Sequence, residues 1–205
     1  MSKYLYHGSS VPGIETLYAT SKLHGSENTQ VVYLTESIPY ALFYIWDANH
    51  NKRIGKHVTA WIKEGIVSYE EQFPNMLYAF YKGVSGYIYY IDHTEEFSRV
   101  ENREAMWYSF SDAKVTKAQY IADVYEELLK YEIEGKVKII RYEKVAKERI
   151  QSLYEHMAER ILKENLPDNP KSDEAVFYQT YFEPVWKMAL EKSLIGKSGE
   201  RFNRM

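Results

Sequence analysis

Two stretches decide how this chain is read: Tyr4-Leu5-Tyr6-His7-Gly8-Ser9-Ser10, and Val31-Val32-Tyr33-Leu34-Thr35 with its continuation Ser37 to Trp46. The first alternates aromatic and aliphatic residues, then breaks at Gly8-Ser9-Ser10, which reads as a short strand running into a turn. The second is a β-branched strand. Ser37 can cap a short helix through Pro39, Ala41, Leu42, Phe43, Tyr44 and Ile45, because proline is tolerated in a first turn. Between them, Thr20 to Gln30 is polar and reads as a loop.

Working outward, His57 to Ile62, Gly86 to Ile91, Met106 to Ser109 and Val115 to Ile121 are strand-like, with a short helix around Asn75 to Lys82. Val124, Leu128, Leu129 and Ile133 form a helical stripe that Gly135 would end. Val137 to Tyr142 is one more strand. From Glu143 the pattern turns helical, with Ala146, Ile150, Leu153, Met157 and Ile161 at three-to-four spacing. Leu166-Pro167-Asp168-Asn169-Pro170 interrupts it, Ser172 opens a further helix, and Pro184 starts a new segment or kinks that helix. The expected fold class is α+β, with a β-rich body over residues 1–142 and a helical C-terminal appendage over 143–205, whose apolar stripe packs on the body or on a partner.

Composition narrows the function. The chain has 205 residues and a formal charge of −3, and neither half is basic, so no general grip on a nucleic-acid backbone is expected. The absence of cysteine removes disulfides, thiol nucleophiles and thiolate metal sites. The longest apolar-aromatic run, Tyr40 to Trp46, is far short of a membrane span. The N-terminus opens into the first strand without a signal-peptide pattern, so a soluble, cytoplasmic protein without membrane contact is expected. Twenty tyrosines lift the aromatic share to 16%. Half-buried sheet faces use tyrosine freely, and so do grooves that stack planar ligands. The six histidines form no HExxH pattern, and no GxSxG, phosphate loop, GxGxxG or evident carboxylate pair occurs, so no metal is expected.

What remains is a spaced set: His7-Gly8-Ser9 at a strand end, Tyr33 in the next long strand, and Tyr44 eleven positions later on the helix that begins near Ser37. In these residues the chain resembles the ADP-ribosyltransferase superfamily, in the branch with a His-Tyr-Glu triad that includes poly(ADP-ribose) polymerases and RNA 2′-phosphotransferases. The resemblance covers mainly Tyr4 to Trp46 and implies a split β-sheet body that binds NAD. It also implies roles. His7 would hold the adenosine-side ribose with help from Ser9, Gly8 would meet the nicotinamide carboxamide, and Tyr33 and Tyr44 would sandwich the cationic ring. A ring face under such a cation contributes roughly 0.5–2 kcal/mol. A second His24-Gly25-Ser26 lies in the polar loop and reads as chance.

The triad's glutamate is expected just before an aromatic residue on a late strand, where it would stabilise an oxocarbenium-like ribose. Here Met106 precedes Trp107-Tyr108-Ser109, and Ala41 stands where relatives place a hydroxyl. Glu104 is the candidate carboxylate. In an extended strand it shares a face with Met106 but lies about 6.6 Å further along. The implied function is an NAD-dependent transferase of ADP-ribose (a glycosyl transfer) to an unknown acceptor. The alternatives are a nucleotide-binding or interaction protein of the same fold without turnover, and an aromatic-lined binding module of another fold. The same residue types also suit plain roles: a strand-end histidine, core tyrosines and an edge-strand carboxylate.

Overall fold

The computed structural model describes residues 3–23, 26, 28–46 and 57–202, with side chains through Leu194. The second His-Gly-Ser copy falls at His24 and Gly25 and so lies outside the described residues. The fold is mixed α and β, with six α-helices among the described residues. The chain divides into two compact units, Met1–Glu71 with Asn75–Arg141, and Gln72–Pro74 with Tyr142–Met205.

In the first unit the strands are β1 Tyr4–Ser9, β2 Thr16–Leu17, β3 Ser21–Lys22, β4 Gln30–Thr35, β5 Thr59–Lys63, β6 Ile66–Glu70, β7 Gly86–Asp92, β8 Ser98–Arg99, β9 Met106–Ser109, β10 Ala113–Lys114, β11 Lys117–Ile121 and β12 Val137–Ile140. Its helices are α1 Ile38–Ala41, which runs on as a 3-10 turn over Leu42–Tyr44, then α2 Met76–Tyr81 and α3 Val124–Ile133. The main sheet is antiparallel in the order β11-β7-β1-β4-β9-β8, with β3 added beside β4. A second sheet sets β6 between antiparallel β5 and parallel β12, and β2 pairs with β10.

Period-two alternation explains the main sheet's two faces. Leu5, Val32, Leu34, Tyr89, Ile91 and Trp107 form one core cluster with Leu17 and Ala113. The intervening residues of β1 and β4 belong to the other face, where α1 is seated. Gly8 makes that seat: a Cβ there would overlap the Ala41 carbonyl oxygen and lie 2.8 Å from its carbon. Gly86 on β7 is crowded in the same way by Ile45 and by the Ser9 carbonyl at 2.7 Å. Two glycines on adjacent strands therefore let the turn after α1 approach the sheet backbone, as glycine alone permits.

Local signals set the helix ends. Ser37 caps α1 by accepting from the Tyr40 N–H at 3.3 Å, and Asp123 caps α3 by accepting from Glu126 at 3.1 Å. Buried Glu71 accepts from the Leu77 N–H at 3.1 Å in the first turn of α2. The polar stretch Thr20 to Gln30, expected to be loop, contains the short strand β3.

The second unit holds α4 Lys147–Lys163, α5 Asp173–Tyr181 and α6 Glu183–Phe202. Ile150, Tyr154, Met157, Ala158 and Ile161 are the buried face of α4, and Leu153 is half-buried. Ala146, expected in that stripe, is exposed and stands before the first turn. Phe177, Tyr178, Phe182, Val185 and Trp186 line the core from α5 and α6, and Phe73 meets Phe182 edge-on at 5.2 Å. Pro184 lies in the first turn of α6, where its missing N–H costs nothing.

Candidate functional site

The site follows from one irregularity of the main sheet. β1 stays paired with β7 as far as Ser9↔Tyr87, whereas its register with β4 is Tyr6↔Thr35. Past that point the strands part, and a cavity of about 140 Å³ opens between them. It is lined by Tyr6, His7 and Gly8 of β1, by Tyr33, Leu34 and Thr35 of β4, and by Ser21, Ala41, Tyr44 and Met106. His7, Gly8, Tyr33 and Tyr44, spread over 38 positions of sequence, thus face one space.

His7 spans the gap. Its side chain belongs to the face of Leu5 and Tyr89, and its Nδ1 lies 3.4 Å from the Tyr33 carbonyl across the opening. A carbonyl only accepts, so Nδ1 carries the proton and Nε2 of the neutral ring is left as an acceptor. Burial lowers the His7 pKa below its ordinary 6.5, and the bond to Tyr33 opposes that shift. The ring is therefore neutral at pH 7, suited to accept from a hydroxyl. His7 also lines a larger cavity of about 610 Å³ on its own face, formed with Val11 to Tyr18, Thr20, Ser21, Val32 and Tyr33. That volume is in the range of small-molecule sites.

Tyr44 is held in place from behind. The fully buried Tyr69 hydroxyl donates to the Pro39 carbonyl at 2.7 Å, and the Tyr81 hydroxyl donates to the Phe43 carbonyl at 3.1 Å. Burial, with neighbouring Tyr40 adding to it, pushes the Tyr44 phenol well above the usual tyrosine range, so it stays neutral. Tyr33 is half-buried, and its hydroxyl approaches the Lys22 carbonyl at 3.4 Å.

Two expected residues are engaged elsewhere. Ser9 accepts from the Val11 N–H at 3.1 Å, a local turn bond. Glu104 lies in the hairpin between β8 and β9 rather than on an extended strand, because Asn102 and Ala105 take left-handed backbone at φ 57° and 58°. Its carboxylate accepts from the Glu64 N–H at 2.9 Å and the Gly65 N–H at 2.7 Å, tying that hairpin to the β5–β6 turn. It lines two other cavities, and the residue of β9 that lines the cavity between β1 and β4 is Met106.

A third cavity, about 200 Å³, adjoins the one between β1 and β4 and shares Tyr33, Tyr44 and Met106 with it. Lys22, Val100 and Arg103 complete its described lining. Lys22, Arg103 and Ser21 are site residues that the sequence reading missed. Lys22 and Ser21 carry no motif and fall in a stretch whose composition is that of a loop, and Arg103 precedes the candidate Glu104 without a motif of its own. Among the described residues, no group of three or more His, Asp or Glu is placed to hold a metal ion, and no helix is long and apolar enough to cross a membrane.

No protein-family model matches the chain, and neither a curated protein nor a solved structure matches it.

Proposed function

We propose that this protein binds NAD or a closely related nucleotide in the gap between β1 and β4 without turning it over, as an inactive member of the ADP-ribosyltransferase-like class. One observation carries the reading: His7, Gly8, Tyr33, Tyr44 and Met106 line a single small cavity, with a larger one across His7. A cationic nicotinamide ring between the Tyr33 and Tyr44 faces gains attraction of roughly 0.5–2 kcal/mol. Neutral His7 offers Nε2 to a ribose hydroxyl, and the larger cavity takes the adenosine half.

The chemistry beside the ring supports binding over cleavage. Breaking the glycosidic bond builds positive charge on the ribose, and an active site opposes that charge with a fixed anion. Met106 supplies none, Glu104 is bonded to the β5–β6 turn, and the adjoining cavity brings Lys22 and Arg103 instead.

The test is a thermal shift and calorimetric titration of the full chain with NAD, ADP-ribose and nicotinamide, with nicotinamide release followed in parallel. Saturation at 100 times the dissociation constant is expected to stabilise the chain by about 2.7 kcal/mol. Tyr33→Ala and Tyr44→Ala should each weaken binding of NAD by about tenfold. No stabilisation by any of the three ligands overturns the reading. Rapid nicotinamide release by the wild type overturns the absence of turnover and returns the transferase alternative.

A further inference from the structure

We infer that the 200 Å³ cavity lined by Lys22, Tyr33, Tyr44, Val100, Arg103 and Met106 is an anion subsite that receives a phosphate group. The inference rests on the nucleotide reading above and names what stands beside the ring.

Three observations lead to it. The described lining contains two cationic side chains and no carboxylate. Neither the Lys22 ammonium nor the Arg103 guanidinium forms an ion pair or hydrogen bond with a described residue. Elsewhere in the chain Lys82, Lys130, Lys136, Arg141 and Arg160 are each matched with a glutamate. Lys22 and Arg103 thus bring two unmatched positive charges to one concavity without a carboxylate.

The two cations also come from separate pieces of fixed backbone. Lys22 stands on β3, paired with Gln30, and its carbonyl meets the Tyr33 hydroxyl. Arg103 sits in the β8–β9 hairpin, where its N–H donates to Val100 and its carbonyl accepts from Met106. The field of Arg103 reaches the Tyr44 phenol, which puts the guanidinium within electrostatic range of the ring pocket. The volume suits a tetrahedral oxyanion with a few waters, at about 30 Å³ for each water. Arginine's fork of donors matches phosphate oxygens.

The phosphate can come from the dinucleotide's own pyrophosphate or from a separate phosphorylated molecule, and the experiment tells them apart. Nicotinamide riboside, NAD and inorganic phosphate are titrated into the full chain, wild type and variants. The wild type is expected to bind NAD at least tenfold more tightly than the riboside. Arg103→Gln and Lys22→Gln should each cost NAD about tenfold and leave the riboside unchanged, since charge-assisted hydrogen bonds are of that strength. Arg103→Lys should recover part of the loss. Both positions are exposed, so the variants should melt as the wild type does without ligand.

Phosphate that competes with NAD and strengthens riboside binding assigns the subsite to the dinucleotide. Phosphate that still stabilises the NAD-saturated wild type, but not the Arg103→Gln form, assigns it to a second molecule. NAD that binds the wild type and both glutamine variants equally, with phosphate inert, overturns the subsite and leaves the ring pocket standing. If neither NAD nor the riboside binds while phosphate stabilises the wild type alone, the ring reading fails and the subsite survives. If no probe binds, both fall.

Discussion

Strand β1 treats its two neighbours differently. Against β7 it is zipped from Tyr4↔Asp92 to Ser9↔Tyr87, and Leu5, Tyr89 and Ile91 of this pair belong to the core cluster. Against β4 it pairs at Tyr6↔Thr35, and the space beyond holds the candidate site. The β4 strand is not itself irregular, since its other edge pairs with β9 from Val32 to Thr35. The opening therefore belongs to one interface, and the turn after α1 stands over it, seated on Gly8 and Gly86. A sheet gains a pocket here by giving up part of one ladder while the flanking ladders keep the walls rigid.

The strongest way to break this contrast is at Gly8. Gly8→Ala puts a methyl group into the Ala41 carbonyl, which is backbone and has no rotamer to escape into. Overpacking of that kind is expected to cost about 3 kcal/mol. At about 2–4 °C per kcal/mol for a chain of this size, melting should fall by roughly 6–12 °C, and ligand binding should be lost with it. Gly65→Ala is the control. Gly65 has φ +77° and open space around its missing Cβ, so only the backbone penalty of about 1–2 kcal/mol applies. Equal effects at the two glycines would show that α1 does not rest on β1 in the way described.

The second test addresses how the open side is braced. Glu104→Ala removes a carboxylate that accepts two backbone N–H groups in the β5–β6 turn. Because Glu104 is exposed, solvent replaces part of what is lost, and about 1 kcal/mol of destabilisation is expected. The binding of NAD should change less than twofold, since Glu104 does not line the ring space. Nicotinamide release by the wild type that Glu104→Gln abolishes, with the melting temperature unchanged, would return Glu104 as the candidate catalytic carboxylate.

These two positions also show what could be read from sequence alone. Runs of β-branched and aromatic residues mark β1, β4, β7, β9, β11 and β12, because such side chains suit a pleated, half-buried surface. β6 carries no such mark: Ile66-Val67-Ser68-Tyr69-Glu70 mixes polar residues into a strand where Ser68 and Glu70 are nevertheless buried. The two-residue strands carry too little pattern to register. In the site, the strand-end His7-Gly8 and the Tyr33–Tyr44 spacing were legible because the motif is local and its elements are regular. Glu104 was misplaced for a backbone reason. Ala105 adopts φ 58°, a left-handed conformation that alanine rarely takes and no residue pattern announces. Lys22 and Arg103 were invisible because their joint role depends on two hairpins meeting in space.

The smallest expected effect, and the most direct probe of the open edge, is the pH response of His7. Burial holds its pKa below 6.5 in the folded chain, with the Tyr33 carbonyl bond pulling the other way. The unfolded ring titrates at its ordinary value, so between the two values the unfolded chain binds a proton that the folded chain does not. Stability from this group is thus constant above pH 6.5 and falls as pH drops from 6.5 towards the folded pKa, by at most about 1.4 kcal/mol per pH unit. Urea midpoints measured from pH 8 to pH 5 for wild type and His7→Gln isolate the term, because the other five histidines contribute alike to both. The wild type should lose more stability than the variant on acidification. Binding of NAD should hold level from pH 8 to pH 6.5 and weaken only below, as Nε2 takes up a proton and ceases to accept. An affinity that instead rises on acidification would mean that the ligand meets a cationic His7, and the neutral acceptor assigned to the gap between β1 and β4 would have to be abandoned.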